Sequence, residues 1–545
     1  MEILIGSAWP YANGSLHIGH IAALLPGDVI ARYHRAIGNE VYYVSGSDCH
    51  GTPVAIRARQ ECKSPREISD YYHDEFLEVF SALGFSYDLY GKTSSEDHVD
   101  FVTKFHRKMY KNESLIYEKD APQAFCSHCD TSLADRFVIG RCPACGEKTR
   151  GDQCDFCGTV LEPEILVQPQ CSTCGSIPKF RESKHLYIAI SKMAGEFRDY
   201  LAAHPEWRKN ASAFTKRYID EGLRDRAVTR SLDWGIDVPK EGYEDKKIYI
   251  WAENVLGYLS MSEVVSMREK RDFNALWFGD DALHYYIHGK DNIPFHSIIL
   301  PALLLAHGAG WHLPDTIVSS EYLTLEGRKI STSQHWAIWG KDIVGRYHPD
   351  SLRYFFIING PEKRDSDFSW REYVYSHNGE LLGAYGNFVN RSLVFVEKYF
   401  DGAVPGGVLE PNVESDITDL FRNVGLKLFE GQCKEALEEI FCYIRRANKY
   451  FDEAAPWKTR EYDVSICGQT LYTCVQMIAN LAVLLHPFLP FSSEKVQKWL
   501  QVRPHWKPQY IPSGYVLPKI EILFERLEKS AADEELARLK SDGRD

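Results

Sequence analysis

His17 and His20 stand three residues apart, with Gly19 between them, just after a Pro-Tyr-Ala-Asn-Gly turn. Upstream, residues 2–7 form a short apolar run that reads as a strand. Downstream, residues 18–37 carry apolar side chains at helical spacing. The histidines therefore open a helix, whose unpaired N–H groups and partial positive charge suit a phosphate. At this spacing they share one face, and Gly19 lets a base or phosphate approach the backbone. Alone, such a pair could equally hold a metal or be two surface side chains. Far along the chain, Gly327-Arg328-Lys329-Ile330-Ser331-Thr332-Ser333 is a small-residue loop with a lysine, suited to closing over a triphosphate.

A second chemistry lies in the cysteines. Of fourteen, eight form four C-x-x-C pairs, Cys126/Cys129, Cys142/Cys145, Cys154/Cys157 and Cys171/Cys174, separated by 12, 8 and 13 residues. Each pair can hold one edge of a tetrahedral zinc. Gly146, Gly158 and Gly175 follow three of them and allow the turn that aims N–H groups at thiolates. All-thiolate ligation leaves no open position, so the zincs would be structural. Four pairs allow three pairings into two sites, and the competing reading is two redox disulfides. Cys49, Cys62, Cys433, Cys442, Cys467 and Cys474 are scattered and read as small buried hydrophobes.

The elements that must position these groups can be traced along the chain. With 545 residues, 44% hydrophobic and 13% aromatic, it holds several globular domains. No run approaches a membrane span, and the first residues begin a strand rather than an export signal, so a cytoplasmic protein is expected. A net charge of −13 argues against a protein that coats nucleic acid but permits a local basic face. Residues 40–46 read as a strand running into the polar loop 47–53, a place where open parallel sheets put ligands. Ser64 and Glu67 form a capping box for a helix to about 83, and another helix spans 95–110. This alternation means a doubly wound parallel sheet. After a change of composition over 113–224, the sheet resumes with a strand at 246–251, a helix at 253–267, a strand at 284–288, a helix at 298–307 and a strand at 316–322. Beyond 359 the pattern is helical, over 380–399, 416–430, 434–451 and 469–485, with a Gly/Pro connector at 401–411. The charged end, 527–545, is expected to fray. The fold class is thus α/β, a Rossmann-type parallel sheet split by a zinc-binding insertion and followed by an all-α bundle. The units are 1–112, 113–225, 226–325, 326–379 and 380–545.

The histidine motif and the lysine loop resemble the HIGH and KMSKS elements of class I aminoacyl-tRNA synthetases. With the cysteine insertion between sheet halves and the helical end, nearly the whole chain resembles the methionyl-tRNA synthetase family. That resemblance implies activation of L-methionine by ATP, with Mg2+, to methionyl-adenylate, then transfer to the 3′ end of tRNA(Met). It implies that His17, His20, Lys329 and Ser331 act in catalysis, and that Gly19, Gly289, Asp291, Lys329 and Thr332 bind ATP, Asp291 at the ribose. Asp48 would take the methionine ammonium, among pocket residues Ala8, Trp9, Tyr11, Trp251, Val255, Tyr258, Phe295 and His296. Asn387, Arg391 and Trp457 would read the anticodon. Two nested zincs per chain are expected, Cys142, Cys145, Cys154 and Cys157 inside and Cys126, Cys129, Cys171 and Cys174 outside. The chain lacks the extra domain that makes some relatives dimers, so a monomer is expected.

Three positions depart from the family pattern: Trp9 for a smaller apolar residue, Val255 for a common proline, and Thr332 for the second lysine of the loop. The last supports a rival reading, a catalytically weak tRNA-binding paralogue, against which both histidines and Lys329 stand. The leucine, isoleucine and valine enzymes need an editing domain for which the insertion has no space. In the cysteine enzyme the zinc lies in the amino-acid pocket, whereas these cysteines lie in the insertion.

Overall fold

The computed structural model describes residues 1–133, 137–151, 154, 156, 157, 159 and 161–541. Strands β1 (Glu2–Ser7), β2 (Glu40–Ser47), β3 (Leu89–Lys92), β4 (Ala282–Gly289) and β5 (Thr316–Ser320) form one parallel sheet in the order β5-β4-β1-β2-β3. The winding reverses between β1 and β4, which opens a crevice at their carboxyl ends. Alternate residues feed two cores. Ile3, Ile5 and Tyr43 face helix α1 (Ile18–Ala36), while Leu4, Tyr42 and Val44 face helix α2 (Gly257–Glu269). Burial on both faces explains why these strands are apolar throughout.

The insertion leaves the sheet after β3. Its stem is an antiparallel ribbon of Ile116–Cys126 and Lys179–Ile188, with the cysteine pairs at and beyond its tip. Two helices, Ala194–Ala203 and Lys209–Asp220, lead back. After β5, helix Pro349–Ile358 leads to a continuous helical rod, Trp370–Ser376, His377–Gly386 (π-type) and Asn387–Tyr399. The unit boundary drawn at 379/380 falls inside this rod. Helices Pro411–Phe429, Cys433–Ala454, Val464–Leu484 and Pro490–Leu500 complete the bundle. Its core is continuous with the α1 side of the sheet.

Several expectations need correction. Residues 246–251 are not a strand of the main sheet. Lys247–Ile248 pairs antiparallel with Thr229–Arg230, and two 3-10 turns, Ile250–Ala252 and Asn254–Leu256, precede α2. The apolar alternation that suggested a strand instead seats Ile248 and Ile250 locally. Strand β3 has only four residues at the sheet edge and gave no sequence signal. Loop 47–53 passes at once into helix Thr52–Glu61. The charged end does not fray from 527. Helix Ser530–Ser541 buries Ala532, Glu535 and Leu539, and Glu535 accepts from Arg346 at 3.0 Å and from the Tyr347 hydroxyl at 3.0 Å. Cys62 and Cys442 are exposed rather than buried. Val464–Leu484 is, against expectation, long and apolar enough to cross a membrane by composition, but 83% of its apolar window is buried. It is the core helix of the bundle.

Candidate functional site

His17 is the N-cap of α1. Its Nδ1 accepts from Gly19 N at 3.1 Å, and His20 Nδ1 accepts from His17 N at 3.2 Å. The rings stack at 3.8 Å. Because both Nδ1 atoms accept, the neutral rings carry their proton on Nε2, two parallel donors at a helix start. Burial, with the neighbouring His20, lowers the pKa of His17, and burial lowers that of His20 to about 4, so both stay neutral near pH 7. A side chain at Gly19 would meet the His17 ring at 2.9 Å and Ile330 of the lysine loop at 3.5 Å. The glycine makes room for the histidine and the loop. Ile18 N bonds to Ile338 O at 3.0 Å and Gly340 N to Leu16 O at 2.7 Å, so the two distant motifs are held together.

The lysine loop is a β-hairpin. Leu323–Leu325 pairs with Arg328–Lys329 across a turn in which Glu326 and Gly327 have φ of 49° and 73°. Successive residues of a strand point oppositely. Lys329 lines the cavity described below, while the Arg328 guanidinium lies 4.2 Å over Trp336. Arg328 is not among the residues that line that cavity. Ser331 is paired through its backbone with Trp336 at 2.9 Å, and Thr332 is exposed on a 3-10 turn.

Beside these motifs, at the crevice, is a cavity of about 590 Å³. Trp9, Tyr11, Asp48, Trp251, Phe295, Asp291 and Lys329 all line it. Ala8, Val255, Tyr258 and His296 are buried behind this wall. Gly289 closes β4, and a side chain there would meet open space. Asp48 is fully buried. Its backbone is tied to residues 10–12 at 2.8 and 2.9 Å, and Asn254 Nδ2 donates to its Oδ2 at 3.0 Å. Among the described residues, its Oδ1 has no hydrogen-bond partner. Burial, then Glu253, push the carboxyl up to about 7. At the mouth, the Tyr322 hydroxyl donates to Asp291, and Lys290 is held by Glu321 at 2.7 Å and Asp365 at 2.9 Å.

Trp9 fits because two glycines make its socket. A Cβ at Gly46 would lie 2.2 Å from the indole and one at Gly257 2.3 Å from it. His296 Nδ1 is 2.9 Å from Asn292 O, so it is the donor there and Nε2 accepts from the Tyr258 hydroxyl at 2.8 Å. Asn254 and the knuckle residues Cys154, Phe156 and Cys157 also line the cavity; the sequence held no sign of Asn254 or Phe156, and marked the two cysteines only as metal ligands.

The eight cysteines gather into two quartets, Cys126, Cys129, Cys171 and Cys174, and Cys142, Cys145, Cys154 and Cys157. Sγ separations of 3.5 Å (Cys126–Cys174), 3.6 Å (Cys145–Cys154) and 3.7 Å (Cys142–Cys157) suit tetrahedral zinc, whose thiolates lie about 3.8 Å apart. Gly146 and Gly175 have φ of 77° and 73°, while Gly158 lies outside the described residues.

In the bundle, Asn387 is exposed, and Arg391 is bound to Asp452 at 2.6 Å and to Asn448 O at 2.8 Å. The Arg391 guanidinium lies 4.2 Å over Phe451, whose ring centroid is 6.0 Å from that of Trp457. Trp457 is 42% exposed, after a left-handed Ala455 and a helix-starting Pro456. Phe451, which joins the two, carried no sequence signal beyond an ordinary core position.

Comparison with known proteins gives concordant findings. The family described as tRNA synthetases class I (M) matches residues 3–393, and the anticodon binding domain of methionyl tRNA ligase matches 405–541. Methionine--tRNA ligase 1 of Alkaliphilus oremlandii is 51% identical over 542 residues, 99% of this chain and 100% of that one. Methionine--tRNA ligase of Bacillus cereus (strain B4264) is 51% identical over 544 residues, 99% of each. The fold is similar to Mycobacterium tuberculosis methionyl-tRNA synthetase bound by methionyl-adenylate, with TM-score 0.80, 22% identity, and coverage of 96% of this chain and 100% of that one.

Proposed function

The chain belongs to the class I tRNA synthetases of the methionyl group, and from that premise we propose that it is an ATP-dependent methionine–tRNA ligase. The observation that carries the reading is the one cavity in which a buried, half-unpartnered Asp48 faces aromatic walls, with Asp291 and Lys329 also lining it. L-methionine enters with its ammonium on Asp48 Oδ1, a charge-assisted bond in a dry site. Its thioether packs against Trp9, Tyr11, Trp251 and Phe295, backed by Ala8, Val255, Tyr258 and His296. ATP, with Mg2+, lies along Gly19 and Gly289, its ribose on Asp291.

A methionine carboxylate oxygen attacks the α-phosphorus, and the bond to pyrophosphate breaks. The Nε2–H groups of His17 and His20, with Lys329, Ser331 and Thr332, stabilise the charge that develops. A hydroxyl of the tRNA's 3′ ribose then attacks the methionyl carbonyl and releases AMP. The two cysteine quartets hold structural zinc, which keeps the insertion folded. Asn387, Arg391 and Trp457 read the anticodon of tRNA(Met). The protein works as a monomer in the cytoplasm, away from membranes. The rival paralogue reading rests on Thr332 alone, and no contact described above favours it.

The test is ATP–pyrophosphate exchange with the full chain. Exchange is expected with methionine and little with leucine or cysteine. Absence of methionine-dependent exchange in folded protein would overturn the reading.

A further inference from the structure

Behind the cavity, two elements from opposite halves of the sheet are joined by a pair of buried contacts. Loop 48–51 follows β2, and turn 253–254 precedes α2. Asn254 Nδ2 reaches Asp48 Oδ2 at 3.0 Å, and His50 Nδ1 meets Glu253 Oε1 at 2.5 Å. Asp48 and Glu253 are fully buried and His50 is 6% exposed.

We propose that Glu253 and His50 are positioning residues for Asp48, forming a clasp that presents Asp48 Oδ1 to the ligand's ammonium and ties methionine capture to release of a proton from Asp48. The inference rests on the proposed role of Asp48 and goes beyond it, because neither Glu253 nor His50 lines the substrate cavity.

The argument is electrostatic. Two buried carboxyls are held by the paired elements, Asp48 by Asn254 and Glu253 by His50. The His50 contact goes to Glu253, which leaves Asp48 the less compensated of the two. Other charged groups do not alter this. His98, from helix Glu96–Met109, lies 3.8 Å from Glu253, but burial and then His50 lower its pKa to about 3, so it stays neutral. Arg66 acts on His50 and weakens its protonation. Lys290, Asp291 and Lys329 stand on the cavity wall, with Lys290 already paired to Glu321 and Asp365. Without the ligand's ammonium, burial first and then Glu253 raise the Asp48 pKa to about 7 against the opposing pull of Asn254 and His50, and burial raises the pKa of Glu253 as well. An arriving ammonium favours the carboxylate, and the proton leaves to solvent. The neutral Asn254 donor holds Asp48 in place without settling its charge, so the ligand decides it.

The test is calorimetric titration of the full-length, zinc-loaded protein with methionine, in buffers of different ionisation enthalpy. Release of about half a proton is expected at pH 7, with little at pH 8.5. The methionine KM in exchange should rise as pH falls through 7. Glu253→Gln keeps an acceptor for His50 but removes the charge. It should shift that rise to lower pH by on the order of one unit and reduce proton release at pH 7, changing KM more than kcat. No proton release by the native protein between pH 6 and 8, or coincident pH profiles for the native and E253Q proteins, overturns the proposal. Methionine-independent exchange would instead overturn the reading of the site itself. If E253Q does not fold, E253D, which keeps the charge and withdraws it by one methylene, takes its place, with an intermediate shift expected and an unshifted profile again fatal.

Discussion

The two motif histidines act as fixed neutral donors because the backbone occupies their Nδ1 atoms and burial keeps protons off them. Losing one should remove about 3 kcal/mol of transition-state stabilisation, as loss of a single oxyanion donor does. His20→Ala and Lys329→Ala should therefore each lower kcat/KM for exchange on the order of a hundredfold, and near-native exchange by both would refute the mechanism. With its pKa near 4, His20 should add no limb to the pH–rate profile between 5 and 8. At the far end of the molecule, Trp457→Ala should weaken tRNA charging by about 1–3 kcal/mol for a lost stacked base, leaving exchange intact. Equal loss in both assays would mean that the indole only supports Phe451.

Among elements, the cysteine insertion links structure to site most directly. The outer quartet clips the tip of a ribbon whose strands pair from Ile116↔Ile188 to Phe125↔Lys179, while two cysteines of the inner quartet line the cavity that Asp48 and Lys329 also line. Metal analysis should find two zincs per chain. Cys142→Ser with Cys145→Ser should lose one zinc and disturb methionine-dependent exchange. Cys126→Ser with Cys171→Ser should lose the other and spare exchange more. A single zinc in the native protein, or equal damage by both pairs, would contradict this division.

At the scale of the molecule, one buried arginine joins sheet and bundle. Arg353 is fully buried and bonds Asp28 of α1 at 2.6 Å, Leu83 O at 3.1 Å, Phe488 O at 2.8 Å and Pro487 O at 2.9 Å. Burial alone would raise the Asp28 pKa, but Arg32 and Arg353 hold it well below the usual range. Arg353→Ala should cost about 3–5 kcal/mol in denaturant unfolding, because it strips partners from a buried carboxylate. The buried histidines set the acid limit. His20, His34, His106 and His296 fall to about 4, and His98 and His284 to about 3, all through burial. The unfolded chain binds more protons than the native one below about pH 6.5, so stability is present above that pH and is lost on acidification toward 4. The raised carboxyls, Asp48 and Glu253 among them, oppose this but are outnumbered. The Tm of the ligand-free protein should be nearly level from pH 7 to 8 and drop steeply between 6 and 4.5. A level Tm down to pH 4.5 would show that these rings are not buried neutral.

Local chemistry was legible in the residues alone. The helix start at His17, the Ser64–Glu67 capping box, the C-x-x-C pairs and the apolar periodicities all depend on neighbours within a turn or a strand. The parallel sheet, the helical end and two four-cysteine clusters follow from such short-range patterns. Long-range placement was not legible. Strand β3 is too short to carry a period, and 247–248 has strand chemistry but pairs outside the main sheet. Helix 530–541 looked like a solvated tail because its anchor, Arg346, lies far off in sequence. The glycine socket of Trp9 and the contacts of Asp48 with Asn254 and of His50 with Glu253 join residues tens to hundreds of positions apart. Only tertiary packing decides such contacts, since it sets which groups lose water together, and that loss of water gives the buried charges their chemistry.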